Sequence, residues 1–85
     1  MISIKCIGHI ATSVGAKDVE LPDESIDAEE IIARLRAMST EADPGFTKYN
    51  TLIMIEDGEA FVAAAGRRMV NSGQKVLLIP FSHGG

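Results

Sequence analysis

The chain is poor in the residues from which small proteins build reactive centres. Its 85 residues hold one cysteine, two histidines and no tryptophan. A lone cysteine cannot close an internal disulfide, and it excludes multi-cysteine zinc and iron–sulfur sites. Two histidines argue against a housed metal centre. Aromatic residues make up 5%, without interleaved basic residues, which disfavours a stacking platform for single-stranded nucleic acid. There is no P-loop and no glycine-rich dinucleotide fingerprint, so any ATP would have to be bound by another protein. A net charge of -4 and a pI near 5.0 disfavour a general nucleic-acid or membrane binder.

Targeting features are equally sparse. The first sixteen residues carry one base, Lys5, and Gly8 and His9 interrupt their apolar stretch. A signal peptide needs a charged start and a continuous apolar segment. No apolar run approaches the roughly 20 residues that span a bilayer. The cytoplasm is the expected compartment, and the unpaired Cys6 agrees with a reducing one.

What the chain does have is ordinary globular material, 46% hydrophobic and 24% charged. Its length suits one domain, residues 1–85, with a small core and a flexible C-terminal tail over 81–85. A domain so poor in catalytic groups is expected to act with a partner.

Periodicity predicts the elements. Ile2, Ile4 and Cys6 alternate with Ser3 and Lys5, as in a half-buried strand. A turn region over Thr12–Gly15 leads to a second short strand around Val19 and Leu21, stopped by Pro22, and the two suggest an antiparallel hairpin. Ser25–Ser39 reads as a helix, with Ala28, Ile31, Ile32, Leu35 and Met38 on one stripe. Asp27 and Glu30 form a capping-box-like start, and Glu30 precedes Arg34 at i,i+4. Asp43-Pro44-Gly45 breaks the chain. Leu52–Ile55 is a strand ended by Glu56-Asp57-Gly58, and Phe61-Val62 reads as a short following strand. Ala63–Asn71 is either an irregular connection or a helical turn. Asn71-Ser72-Gly73 turns into a last strand, Lys75–Ile79, whose pairing is expected to weaken at Pro80. The order predicts an α+β sandwich, a four- to five-stranded sheet packed against one main helix.

That architecture raises a question. Leu52–Ile55 and Val76–Ile79 are apolar at consecutive positions, hence on both faces of their strands. One helix covers one face. Either Phe46, Tyr49 and Phe61 fold over the second face, or it is a contact surface for a partner.

Among candidate reactive groups, Cys6 lies on the strand side shared with Ile2 and Ile4, where a thiol is expected to be buried and inert. His9 ends the first strand with no companion for a catalytic dyad, and His83 lies in the tail as a contact residue or a solvated one. Acids crowd the stretch from Lys17 to Glu30, whereas Arg67, Arg68 and Lys75 stand in an acid-free C-terminal third. That third either steers the tail toward an acidic partner or is simply solvated. The most unusual feature is the terminal Gly84-Gly85. It is thin and free of side chains, so it can enter a narrow channel and present a carboxylate. Extended, the five residues after Pro80 reach roughly 16–18 Å.

The run Ser72-Gly73-Gln74-Lys75-Val76-Leu77-Leu78-Ile79-Pro80-Phe81-Ser82-His83-Gly84-Gly85 resembles the close of the MoaD/ThiS sulfur-carrier family. The element order is similar to the ubiquitin-like β-grasp of those proteins, and His83-Gly84-Gly85 is also similar to the ends of ubiquitin-related modifiers. The resemblance implies a mechanism. A ubiquitin-activating-type adenylating enzyme would use ATP to join AMP to the Gly85 carboxylate, and sulfur delivery would then leave a Gly85 thiocarboxylate. Gly84, His83, Ser82 and Phe81 would occupy the partner's channel. The accepting partner would be a synthase like the large subunit of molybdopterin synthase. This chain would be the sulfur donor and hold no cofactor or catalytic site of its own. Phe81 stands where molybdopterin members usually carry a second proline, and the pathway stays open among molybdopterin, thiazole, cysteine-type transfer and protein modification. The alternatives are a ubiquitin-like modifier joined through Gly85, or a β-grasp adaptor.

Overall fold

The computed structural model describes residues 1–56, 58–65 and 67–81. Alternation in the opening segment produces β1 (Ile2–Cys6), which buries Ile2, Ile4 and Cys6. Gly8 then turns the chain into α1 (His9–Val14), followed by β2 (Asp18–Leu21) and β3 (Ser25–Asp27). The main helix is α2 (Ala28–Met38). β4 (Thr51–Ile55), β5 (Ala60–Val62), β6 (Met69–Asn71) and β7 (Lys75–Pro80) complete the order.

Five strands form a mixed sheet in the order β2-β1-β7-β4-β5, and β3 pairs with β6 in a separate two-stranded sheet. β1 and β7 run parallel at the centre, and the other neighbours are antiparallel. The β1–β2 and β4–β5 pairs flank β7, which runs parallel to β1, and with a helix across one face they make an α+β fold of the β-grasp type.

The helix packs because its stripe is apolar. Ala28, Ile31, Ile32 and Leu35 are buried against Ile2, Ile4, Ile53, Val76 and Leu78 of the sheet. Each fully buried aliphatic side chain contributes about 1.5–3 kcal/mol. Phe46 enters the same core with no exposed surface.

Four expectations need correction. The connection after β1 contains α1, not a simple turn, so His9 opens a helix instead of closing a strand. Ile10 and Val14 are one helical turn apart and both reach the core, and Gly15 closes the helix in the left-handed region at φ 88°. Residues Ser25–Asp27, expected in the main helix, are extended in β3. The stretch Ala63–Asn71 contains β6, which pairs Ile26 with Val70 in a buried contact. Finally, Asp27 precedes α2 but makes no side-chain cap. Its carboxylate accepts the Arg68 amide at 3.3 Å instead, while the first helical amide, on Ala28, donates to the Arg68 carbonyl at 2.8 Å. Arg68, the residue before β6, thus caps the helix through its backbone.

Other readings match the structure. Glu30 and Arg34 form the expected i,i+4 ion pair at 3.5 Å. Gly73 turns the chain into β7 at φ 93°, with Gln74 donating to the Asn71 carbonyl. No helix among the described residues is long and apolar enough to cross a membrane.

Candidate functional site

The doubly apolar strands have one face in the core and one face open. Alternation sends Thr51, Ile53, Ile55, Val76 and Leu78 inward and Leu52, Met54, Leu77 and Ile79 to the other face. The register sets Leu52 opposite both Ile79 and Val62, and Met54 opposite Leu77. None of these five outward side chains is buried; each is half-buried by its neighbours. β1 and β2 continue this face with polar groups, Lys5 lying between Leu77 and Asp18. A shallow cleft of about 390 Å³ runs there among Lys5, Asp18, Glu20, Glu56, Lys75 and Leu77.

Of the two alternatives for this face, folding-over by Phe46, Tyr49 and Phe61 is not what the structure shows. Phe46 lies in the core and Phe61 packs against it. Tyr49, 60% exposed, lines a different groove of about 770 Å³ along α2. Several charges of that groove engage one another. Arg34 grips Asp23 with two hydrogen bonds of 2.8 and 2.9 Å, and Lys48 donates to Glu29 at 2.9 Å. The hydrogen bonds from Arg34 hold the Asp23 carboxyl below its ordinary pKa.

The C-terminal segment leaves from the border of the open face. Phe81 donates its amide to the Asn50 carbonyl at 3.0 Å. In an antiparallel pair this places the amides of residues 77, 79 and 81 toward β4, and positions 76, 78 and 80 toward β1. The bond from Ile7 N–H to the Leu78 carbonyl fits this pattern. Pro80, which has no amide hydrogen, therefore faces the side on which β1 has already ended. It stays within the strand, opposite Thr51, without breaking the ladder to β4. The expected weakening at Pro80 is thus confined to the β1 side, where Gly8 occupies the space.

Phe81 is half-buried, and continued alternation puts its side chain on the open face with Leu77 and Ile79. The other expected site residues, Ser82, His83, Gly84 and Gly85, lie outside the described residues, as do Asp57 of the expected turn and Gly66. Arg68 pairs with Glu59 and stacks over Phe61 at 4.6 Å, Arg67 lines the α2 groove, and Lys75 borders the open face.

Cys6 is buried as expected, with 3% of its surface exposed. Desolvation, aided by the negative charge of Asp18, pushes its thiol up to about 11, so the thiolate is scarce at neutral pH. Among the described residues there is no cluster of three or more histidine, cysteine or acidic side chains that would hold a metal.

Sequence reasoning missed Asn50. Its side-chain oxygen accepts the Thr47 amide at 2.7 Å, and its amide group donates to the Gly45 carbonyl at 3.2 Å. The Thr47-x-x-Asn50 spacing after the Pro44-Gly45 break is the signal of an Asx-type turn. Its importance appears only once the register sets Asn50 opposite Phe81. Comparison with family models and with curated proteins returns no match.

Proposed function

We propose that this chain is a sulfur carrier, activated at the carboxylate of Gly85 and docked on its partners through the open sheet face. The observation that carries the reading is where the C-terminal segment departs. It follows the central strand of a β-grasp sheet and starts at the edge of a half-buried apolar surface.

The chemistry requires little of the carrier. A carboxylate resists attack because its charge repels nucleophiles and oxide is a poor leaving group. An adenylating partner would join the Gly85 carboxylate to AMP and release pyrophosphate. Hydrosulfide would then attack the acyl carbon, and AMP would leave with the original oxygen. The product is a thiocarboxylate whose sulfur a second partner, such as a molybdopterin-type synthase, would take up. Binding of ATP and every proton transfer would fall to the partners. The buried, protonated Cys6 is consistent with a carrier that offers no competing thiol.

The test is to incubate the chain with ATP, sulfide and an adenylating enzyme from the source cell and weigh it intact. Replacement of oxygen by sulfur adds about 16 Da. No gain with any such enzyme rejects the carrier. Higher-mass conjugates in extract that vanish when Gly84-Gly85 is deleted identify a ubiquitin-like modifier, and partner binding that tolerates the deletion identifies an adaptor.

A further inference from the structure

We infer that Asn50 is the positioning residue that holds Phe81 at the end of the sheet, where the C-terminal segment begins. Phe81 offers the last amide that faces β4 among the described residues, and its acceptor is the Asn50 carbonyl. That carbonyl does not belong to a regular ladder. The Asn50 amide, which would return a bond to β7 in an unbroken antiparallel pair, donates to the Thr47 carbonyl at 3.2 Å. The peptide at Asn50 is held by its own turn.

The Asn50 side chain builds this turn from both sides. Its oxygen takes the Thr47 amide at 2.7 Å, and the hydroxyls of Thr47 and Thr51 approach the same oxygen at 3.4 Å. Its amide group ties back to the Gly45 carbonyl. The Thr47 hydroxyl then accepts the Tyr49 amide, and the Lys48 carbonyl receives the Ala64 amide. One side chain therefore gathers residues 45–51 into a fixed loop that presents a carbonyl to Phe81. Across β7, Pro80 lies against Gly8, so Pro80 and Phe81 are bounded on both sides.

The consequence for activation rests on the sulfur-carrier reading. A glycine-ended segment must reach a partner's nucleotide site, and a fixed starting point at Phe81 lowers the ordering cost of that encounter. Asn50 would act on the reach of the segment and leave its chemistry untouched. Loss of the side chain should raise the KM for the carrier in adenylation and leave kcat nearly unchanged.

The experiment compares the wild type with Asn50→Ala and Asn50→Asp by amide hydrogen exchange and by adenylation kinetics. The Ala variant should exchange Phe81 about tenfold faster or more, while Ile53 and Ile79 keep their protection. Its KM should rise several-fold. The Asp variant retains the acceptor for Thr47 and should recover most of both effects. Three results overturn the inference: Phe81 equally protected in all three proteins, protection lost throughout the core of the Ala variant, or Phe81 released with KM unmoved. If the wild type is never adenylated, the carrier reading fails by itself, and the exchange data still decide whether Asn50 holds Phe81.

Discussion

A Cβ placed on Gly8 would stand 3.4 Å from Cγ of Pro80. Gly8 also takes φ 60° and ψ -136°, a conformation open to glycine and strained for other residues. The two residues meet where β1 turns away into α1 and β7 loses its amide donor. Replacing Gly8 by Ala should therefore cost about 1–3 kcal/mol, mostly from the backbone. The midpoint of urea unfolding reports it, with the m-value unchanged.

Cys6 should be silent to thiol reagents in the folded protein at pH 7–8 and react at once in denaturant. The raised thiol pKa also sets a sign for stability. Below pH 9 the thiol is protonated in both folded and unfolded chains and adds no pH dependence. Between the ordinary value of 9.0 and about 11 the unfolded chain ionises first, so stability falls as pH rises. A Cys6→Ala variant should lose this part of the alkaline decline, measured as the difference between two pH–stability curves.

Asp23 gives the opposite sign. Its carboxyl is held below 3.8 by the hydrogen bonds from Arg34. The stabilisation is present above that value and disappears as pH falls through the lowered one. Asp23→Asn should be less stable than the wild type at neutral pH and converge with it in acid. Thermal melts at several pH values test this. High salt should narrow the gap only partly, because the two hydrogen bonds are short and fixed in direction.

On the open face, Met54→Lys should separate docking from folding. Met54 is half-buried opposite Leu77 and Ala60, so the change should cost about 1 kcal/mol or less of stability. Under the carrier reading it should weaken binding to the accepting enzyme about tenfold or more. Calorimetric titration of the folded variant measures the loss.

Much of this was legible because apolar periodicity reflects burial. β1, β2, β4, β7 and the body of α2 carry repeats long enough to read from residues such as Ile2, Ile4 and Cys6, or Ile31 and Leu35. α1 was not legible: it has six residues, no acidic start and no basic end, and glycines flank it. β3 and β6 have three residues each and exist through the Ile26–Val70 pairing, a tertiary fact that no local pattern carries. The site divides in the same way. Gly84-Gly85 and the second apolar face of β4 and β7 stand out in the chain itself. Asn50 does not, because its role depends on lying opposite Phe81, thirty-one residues away.

The most direct test of the carrier reading places the sulfur on one residue. Lys75 is the last lysine or arginine of the chain, so tryptic digestion after denaturation releases Val76–Gly85 as a single peptide. After incubation with ATP, sulfide and the adenylating enzyme, fragmentation of this peptide should show a gain of about 16 Da on Gly85, with no other peptide changed. An unmodified Val76–Gly85 peptide, or the gain on any other residue, would contradict it.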